Sequence, residues 1–388
     1  MDQANGVKKS NVTDFASAGP GTPGGVMLRK YWQPVHLSRD LKNGEVKPIH
    51  ILGERFTLYR GEGGAAHVVG YRCAHRQTQL STGWVRGDSI QCYYHGWAYN
   101  GAGECVERPG EQPSGPCAAA NIDAWPTREH MGVIYAYFGE GAEPEFPPFP
   151  HFGDGGVIEN SVHHFPCNWF QTYENQIDEV HIAFVHSHSG SHRNLGREIE
   201  LPQTKAYETD FGMVRETQSP GSDLRTTLYL MPNTMRIIIP TFDDLKAIGG
   251  WRDSYLTLVP TDDENHILFM TQHASVAPDE MAAYHEMWNK FQQRVAAERE
   301  PREVGQDILD GKLTFNDVLD HPLLLVIEDI VAQTGQMAIA DRSKEILGRT
   351  DVGVVRMRRV FERELHAIAE GQASKTWRYD GLPPRQGF

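Results

Sequence analysis

The chain has 388 residues, 39% hydrophobic and 23% charged, the composition of a folded protein with room for two domains. Lys plus Arg number 37 against 51 Asp plus Glu, a formal net charge of −14. That acidity argues against a nucleic-acid partner, which needs a basic footprint, and the apolar run LLLVI at 323–327 is far too short to span a bilayer.

The N-terminal MDQANGVKKSNVTDF has no apolar h-region, so no signal peptide is expected. The five cysteines (Cys73, Cys92, Cys105, Cys117 and Cys167) are too few and odd in number for a disulfide framework, which points to a reducing cytoplasm. Residues 1–26 read as a loose, polar N-terminal arm ending in GPGTPGG. Gly19, Gly21 and Gly24 spell a formal GxGxxG. Prolines fill the gaps and no strand precedes it, so a dinucleotide site is not expected. Residues 27–145 carry short alternating runs such as FTLYR, AHVVGYR and VIYAYF, separated by turn residues, and predict an all-β domain. The Pro- and Gly-dense stretch GAEPEFPPFPHF at 141–152 marks a domain boundary.

Within the first domain, residues 71–99 read YRCAHRQTQLSTGWVRGDSIQCYYHGWAY. Cys73-x-His75 is followed, after sixteen residues, by Cys92-x-x-His95. Each loop delivers one thiolate and one imidazole. A Cys₂His₂ zinc site more commonly pairs two cysteines in one loop and two histidines in the other. Mixed pairs fit a Rieske [2Fe–2S] centre, in which two histidines hold one iron and two cysteines the other. Gly96 permits a tight turn after His95, and Leu80 and Trp97 are candidates to shield the cluster from water. The pattern CxHRxxxLSxGxVxGDxIxCxYHGWxY resembles the Rieske domain of aromatic-ring oxygenases. One departure is Gln77, where that family usually has Gly; it leaves the ligands untouched and puts only the loop shape in question. Cys105, Cys117 and Cys167 lie outside the pattern.

Residues 155–388 change character. A helix is predicted over 168–188, then strands at GMVRETQ, LRTTLYLM, MRIIIP, SYLTLVP and HILFMTQHASV. Helices follow: one after Pro278 through MAAYHEMWNKFQQRVAAER, one over about 322–339, and a last one through VGVVRMRRVFERELHAIAE. Strands followed by long helices predict an α+β second domain, an antiparallel sheet gripped by helices.

The segment YENQIDEVHIAFVHSH at 173–188 spaces Asp178, His181 and His186 as D-x-x-H-x4-H. Asp178 and His181 share a helical face, whereas His186 lies off it unless the helix ends or bulges. Two imidazoles plus one distant carboxylate make the facial triad that leaves positions on Fe(II) open for O₂. The motif E-N-x-x-D-x-x-H-x4-H, 86 residues beyond Cys92, resembles the iron-binding helix of the same oxygenases. Their phthalate dioxygenase-type branch carries its third ligand in an E-D-x6-Q pattern, which implies Asp329, with Glu328 and Asp341 as competitors. A helix would place Leu325, Asp329, Ala332 and Gln336 on one inward face. The resemblance also implies that Asp178 bridges His95 of a neighbouring subunit to His181, giving electrons a route inside a head-to-tail homotrimer or a hexamer of stacked trimers. Glu174 and Asn175 receive no role, and His188 and His192 read as loop residues.

The implied function is the oxygenase component of a multicomponent Rieske oxygenase. It would carry a [2Fe–2S] cluster and a mononuclear Fe(II), use O₂, and take electrons from a separate reductase or ferredoxin. The chain itself shows no flavin, nicotinamide or plant-type ferredoxin fingerprint. DRSxExLGxxDxGV and HRxxxLSxGWVRGD are closest to enzymes that demethylate methoxylated aromatics or hydroxylate diaryl compounds. Monooxygenation or O-demethylation of a methoxylated or carboxylated aromatic is therefore expected, with cis-dihydroxylation as the alternative. An electron carrier lacking the second site is the alternative of another class. Arg215, Arg225 and Arg236 are candidates to bind a carboxylate, and Met213, Met231, Met235 and Met270 to line an adaptable pocket.

Overall fold

The computed structural model describes residues 13–112, 114–147, 152, 155–186, 201–219, 223–240 and 248–383. A short helix, α1 (Pro23–Arg29), precedes the strands of the first lobe. These are β1 (Trp32–Leu37), β2 (Val46–Ile51), β3 (Glu54–Arg60), β4 (Ala66–Gly70), β5 (Trp84–Arg86), β6 (Ser89–Gln91), β7 (Ala98–Asn100), β8 (Cys105–Glu107), β9 (Ala124–Trp125), β10 (Thr127–His130) and β11 (Val133–Tyr137). They form three antiparallel sheets in the orders β1-β11-β10, β2-β3-β4-β9 and β5-β6-β7-β8. The last sheet has its own small core, in which Tyr59, Val69, Leu80, Ile90 and Tyr99 pack around Cys73 and Cys92.

The second lobe begins with β12 (Val157–Phe165), α2 (Trp169–Ile177) and α3 (Val180–Val185). The strands β13 (Gln203–Glu208), β14 (Gly212–Gln218), β15 (Arg225–Leu230), β16 (Thr234–Pro240), β17 (Trp251–Pro260) and β18 (His266–Ala274) complete one antiparallel sheet, ordered β12-β18-β17-β16-β15-β14-β13. Helices α4 (Met281–Ala297), α5 (Pro301–Leu309), α6 (Leu324–Thr334) and α7 (Val352–Ala369) follow. The fold is α+β, an all-β lobe followed by a sheet gripped by helices, as the sequence pattern predicts. Among the described residues no helix is long and apolar enough to cross a membrane.

Side-chain alternation gives the large sheet two different faces. Met235 pairs with Leu256, and Leu256 with Met270. Ile237 and Ile239, in step with Met235, therefore share their face, which lies under the helices. Arg236 points the other way, where it is paired with Asp253 at 2.6 Å and lies over the Tyr255 ring. Of the sequence candidates for carboxylate binding, Arg236 is thus committed elsewhere.

The predicted helix over 168–188 is two helices. Asp178 leaves helical geometry at φ −80, ψ 112, and α3 starts on a new axis two residues later. α2 is held firmly on the sheet side of this break. Trp169, Phe170 and Tyr173 are almost wholly buried and pack edge-on against Phe361 of α7, Trp169 at a tilt. Each such side chain contributes roughly 1.5–3 kcal/mol of transfer free energy. The Asn168 side chain caps α2 by accepting from the Phe170 N–H, and donates to the carbonyls of Ala16 and Asp263. α6 is shorter than predicted and ends at Thr334, capped by Gly335, so the inward glutamine is Gln333 rather than the exposed Gln336.

The described part of the N-terminal segment, residues 13–26, differs from the loose arm expected from its composition. Phe15 stacks on Phe170 with centroids 4.8 Å apart, and the Ala18 N–H donates to Asp263. The GxGxxG glycines lead into α1, capped by Thr22, and a side chain at Gly24 would meet the Ser17 carbonyl at 2.4 Å. Gly24 thus serves close packing, whereas a side chain at Gly19 or Gly21 would meet nothing within 4 Å. The two lobes meet across a buried bond from Asn233 Nδ2 to Gln33 Oε1 of 2.7 Å.

Glu174 is the centre of a buried ion network. It binds Arg342 at 2.8 Å and Arg358 at 2.5 Å, with all three side chains largely buried. This ties α2 to α7 and to the segment between α6 and α7. Removing one partner of a buried ion network strands the others. Glu174→Ala is expected to cost about 3 kcal/mol in urea unfolding. A loss no larger than the roughly 1 kcal/mol of an exposed pair would contradict this role.

Candidate metal centres and cavity

The two loops at the tip of the first lobe repeat one hydrogen-bond pattern. The Cys73 N–H donates to the Thr78 carbonyl, and the Gln77 N–H returns to the Cys73 carbonyl. The Cys92 N–H likewise donates to Trp97, and the Gly96 N–H returns to Cys92. Both turns need a left-handed fifth residue, supplied by Gly96 at φ 76 and by Gln77 at φ 61. The Gln77 departure thus leaves the loop shape intact, at the modest strain of a side chain in that region.

These turns bring Cys73, His75, Cys92 and His95 together. Both cysteines are buried, and the His75 and His95 rings lie 4.4 Å apart. His75 Nδ1 is buried with no hydrogen-bond partner, a position that a metal would satisfy. The Tyr99 hydroxyl lies 3.2 Å from Cys73 Sγ. Trp97 stacks on His75 at 4.6 Å and Leu80 is fully buried beneath, so both shielding residues are in place. Burial pushes the Cys92 thiol up, and neighbouring Cys73 adds to the rise. The thiolate is therefore favoured when a metal takes its charge. The donor set fits a [2Fe–2S] cluster with mixed ligation.

The second centre is assembled across 148 residues of sequence, from His181 to Asp329. The break after α2 frees the Asp178 carbonyl, which accepts from His181 Nδ1 at 2.5 Å. A carbonyl only accepts, so the proton sits on Nδ1 and the Nε2 lone pair faces the cavity. His186 ends α3, and its Nδ1 lies 3.0 Å from Glu328 Oε2. That carboxylate fixes the same tautomer, and His186 Nε2 lies 3.5 Å from Asp329 Oδ1. His181 Nε2 is 3.9 Å from the same oxygen. The ligand atoms of His181, His186 and Asp329 all lie within 4.8 Å of one another, and these three residues could hold a metal ion. Burial pulls the His181 imidazole below its ordinary range despite Asp329 beside it. At His186 burial acts the same way, but Asp329 and Glu328 outweigh it and lift the imidazole.

Neighbouring residues place the triad. Asn175 Nδ2 donates to Asp329 Oδ1 at 3.1 Å, a partnership that no local pattern around Asn175 signals. Gln171 Nε2 donates to the Gln333 carbonyl at 3.0 Å, and the Thr172 hydroxyl to the Gln333 side chain, so α2 and α6 are laced together beside the site. Of the competitors for the third ligand, Glu328 orients His186 from its far side. Asp341 is exposed and engages Ser343 and Lys344 instead. Asp178 Oδ1 accepts from the Val180 N–H and starts α3. His188 and His192 lie outside the described residues.

A cavity opens beside the triad. It is lined by Phe165, Ile182, Leu256, Leu268 and Met270, by Ile237–Ile239, and by Gln176, Arg215 and Arg225. Met213, Met231 and Met235 are core residues. The pairing of the two arginines with Glu179 had no local signal, because 36 residues or more separate the partners.

Comparison with known proteins gives a consistent picture. A Rieske [2Fe-2S] domain family matches residues 31–126. The 5,5'-dehydrodivanillate O-demethylase oxygenase subunit of a Sphingobium species is 27% identical over 93% of this chain and 81% of its own length. The tert-butanol monooxygenase / tert-amyl alcohol desaturase oxygenase subunit of Aquincola tertiaricarbonis is 32% identical over 88% of this chain and 73% of its own. The crystal structure of dicamba monooxygenase bound to dicamba shares the fold, with a TM-score of 0.63 at 17% identity, covering 89% of this chain and 99% of that one.

The Glu328 contact predicts a graded result. Glu328→Ala is expected to weaken Fe(II) retention about 10- to 100-fold on dialysis against a chelator, with Glu328→Gln in between. Equal iron retention in wild type and Glu328→Ala would remove the orienting role.

Proposed function

This chain belongs to the terminal oxygenase components of the Rieske non-haem iron oxygenases, and from that premise we propose how its residues divide the work. It is an oxidoreductase that incorporates O₂ and works with a [2Fe–2S] cluster and a mononuclear iron. Cys73 and Cys92 hold one iron of the cluster, and His75 and His95 the other. His181, His186 and Asp329 hold the mononuclear iron. The observation that carries this assignment is the convergence of the three ligand atoms beside an apolar cavity. When bound, the cluster supplies electrons singly and the mononuclear iron supplies binding and reduction of O₂.

The protein's own groups do the rest. The Asp178 carbonyl and Glu328 hold both imidazoles with Nε2 toward the site. The hydrocarbon walls exclude water and orient an apolar substrate body. Asp178 is the bridge from His181 to His95 of the partner subunit in a head-to-tail homotrimer, or in a hexamer of stacked trimers. Exposed aromatic residues support such an interface: Tyr93 and Tyr94 beside His95, and Phe184 on the α3 side, each at least half exposed. Electrons come from a separate ferredoxin or reductase, and unpaired cysteines suit the reducing cytoplasm.

The reaction we favour is O-demethylation of a methoxylated aromatic, in line with the named activity of one relative. An aryl methyl ether, O₂, two electrons and two protons give a phenol, formaldehyde and water. Cis-dihydroxylation uses the same site, and another relative is a phthalate 4,5-dioxygenase oxygenase subunit from Pseudomonas putida. Product analysis separates them. Formaldehyde released in step with O₂ consumed is the expected outcome, and a cis-diol without formaldehyde would reverse the preference. Asp178→Asn is expected to keep both metal centres filled while lowering coupled turnover at least about 10- to 100-fold. Full activity in that variant would sink the bridge.

A further inference from the structure

We propose that Cys105 and Cys117 are a reversible disulfide site, a latch at the base of the loop that covers the [2Fe–2S] cluster. Its effect on the cluster rests on the oxygenase reading above; the bond itself does not.

Both residues are free thiols, and neither belongs to the cluster ligand set. Cys105 lies on β8 and is 1% exposed, while Cys117 is half-buried and packs on the same small core. After residues 106–116 the chain returns to lie beside Cys105. The Cys117 N–H donates to the Cys105 carbonyl at 3.1 Å, and the Ile122 N–H to the Gly103 carbonyl at 2.9 Å. The Cys105 N–H donates to Asn121 Oδ1 at 2.9 Å. A strand-like backbone bond of this kind places two Cα atoms about 5.5 Å apart, inside the span that a disulfide bridges. The two sulfurs also sense each other. Burial raises the Cys105 thiol, Arg108 opposes this, and Cys117 adds to the rise.

The loop between them reaches the cluster site at two points. The Arg108 guanidinium sits 5.8 Å from the Trp97 ring centroid, and Trp97 stacks on His75. Pro109 lies against the turn after His95, where a Cβ on Gly96 would meet its Cγ at 2.7 Å. Arg108 also closes the loop on itself, through its N–H to the Ser114 carbonyl at 2.7 Å and its Nε to the Gly115 carbonyl at 3.1 Å. With both thiols reduced, only non-covalent bonds close the base of this cover. A covalent bond between Cys105 and Cys117 removes its open conformations.

The oxidant is a low-molecular-weight disulfide, R–S–S–R. The more exposed Cys117 attacks it as the thiolate, forms a mixed disulfide and releases one R–SH. Cys105 then displaces the second R–SH and forms the Cys105–Cys117 bond. Two protein thiols lose two electrons and two protons, and one R–S–S–R becomes two R–SH. A reducing cytoplasm keeps the pair open, and an oxidising load closes it. Simple core filling accounts for Cys105. It does not account for a second, partly exposed thiol at the position whose backbone bonds to Cys105.

The test equilibrates the holoenzyme under argon in glutathione buffers of rising glutathione disulfide content, blocks the remaining thiols and maps the peptides by mass spectrometry. The peptides carrying Cys105 and Cys117 are expected to become joined, and dithiothreitol to separate them. Loss of the cluster's visible absorbance to a chelator is expected to be about tenfold slower in the oxidised protein than in the reduced one. Cys117→Ser and Cys105→Ala should each abolish the joined peptide and the slowing, and Cys117→Ser decides the question if the buried Cys105 variant does not fold. Glutathione left on Cys117 without the cross-link, a cross-link to any other cysteine, or none even in glutathione disulfide alone would overturn the site. A cross-link that leaves cluster loss unchanged would overturn the latch. A protein that forms the bond but holds no cluster strikes the oxygenase reading, and the latch falls with it while the bond stands.

Discussion

A single hydrogen bond, from His181 Nδ1 to the carbonyl of Asp178, holds the catalytic end of this protein in order. It exists because the helix stops there. In an unbroken helix that carbonyl would accept from the N–H four residues on, and the His181 ring would keep no fixed tautomer. The break at Asp178 turns the carbonyl toward the imidazole, lets the Asp178 side chain start α3, and swings His186 to the same site as His181. Glu179, at the same joint, reaches the two cavity arginines. Three features of the reactive end, the proposed iron ligands, the proposed electron bridge and the charged wall of the cavity, thus hang on one residue of non-helical backbone, Asp178.

A hinge of that kind is useful only if its two sides are fixed. α2 is fixed by its aromatic face on Phe361 and by Asn168, whose side chain satisfies three partners in a fully buried position. The Glu174 network adds α7 and the segment before it. α6 is fixed to α2 through Gln171, Thr172 and Gln333, which sets Asp329 against Asn175. Buried polar groups of this number are costly unless satisfied, and here their partners are on the elements that must be held in register. The energy of the scaffold is therefore concentrated next to the chemistry.

The cluster-binding loops were legible from the sequence because every donor lies within a few residues of another and the turns impose the spacing. Even Gln77, an apparent flaw, adopts the left-handed turn that glycine usually provides. The histidine pair and Asp329 were legible through motif and position. What surrounds them was not. Asn175, Glu328 and the Glu179 pairs act across long separations, and nothing local distinguishes them from ordinary polar residues. The strand β12 was missed because Glu159, Asn160 and His163 interrupt its alternation; Asn160 is buried, bonded to Thr271 and to the Met131 carbonyl. The N-terminal segment reads as loose because its composition is polar, yet in its described part Phe15, Ala16 and Ala18 anchor it to Phe170, Asn168 and Asp263.

The most direct test of the account is the iron and acid-labile sulfide content per chain, measured with an EPR spectrum after mild reduction. The account predicts about three irons and about two sulfides, with a Rieske-type reduced signal. Two irons and the cluster signal, with no third iron even after loading with Fe(II), would contradict the site at His181, His186 and Asp329. Zinc with no labile sulfide would contradict the account as a whole.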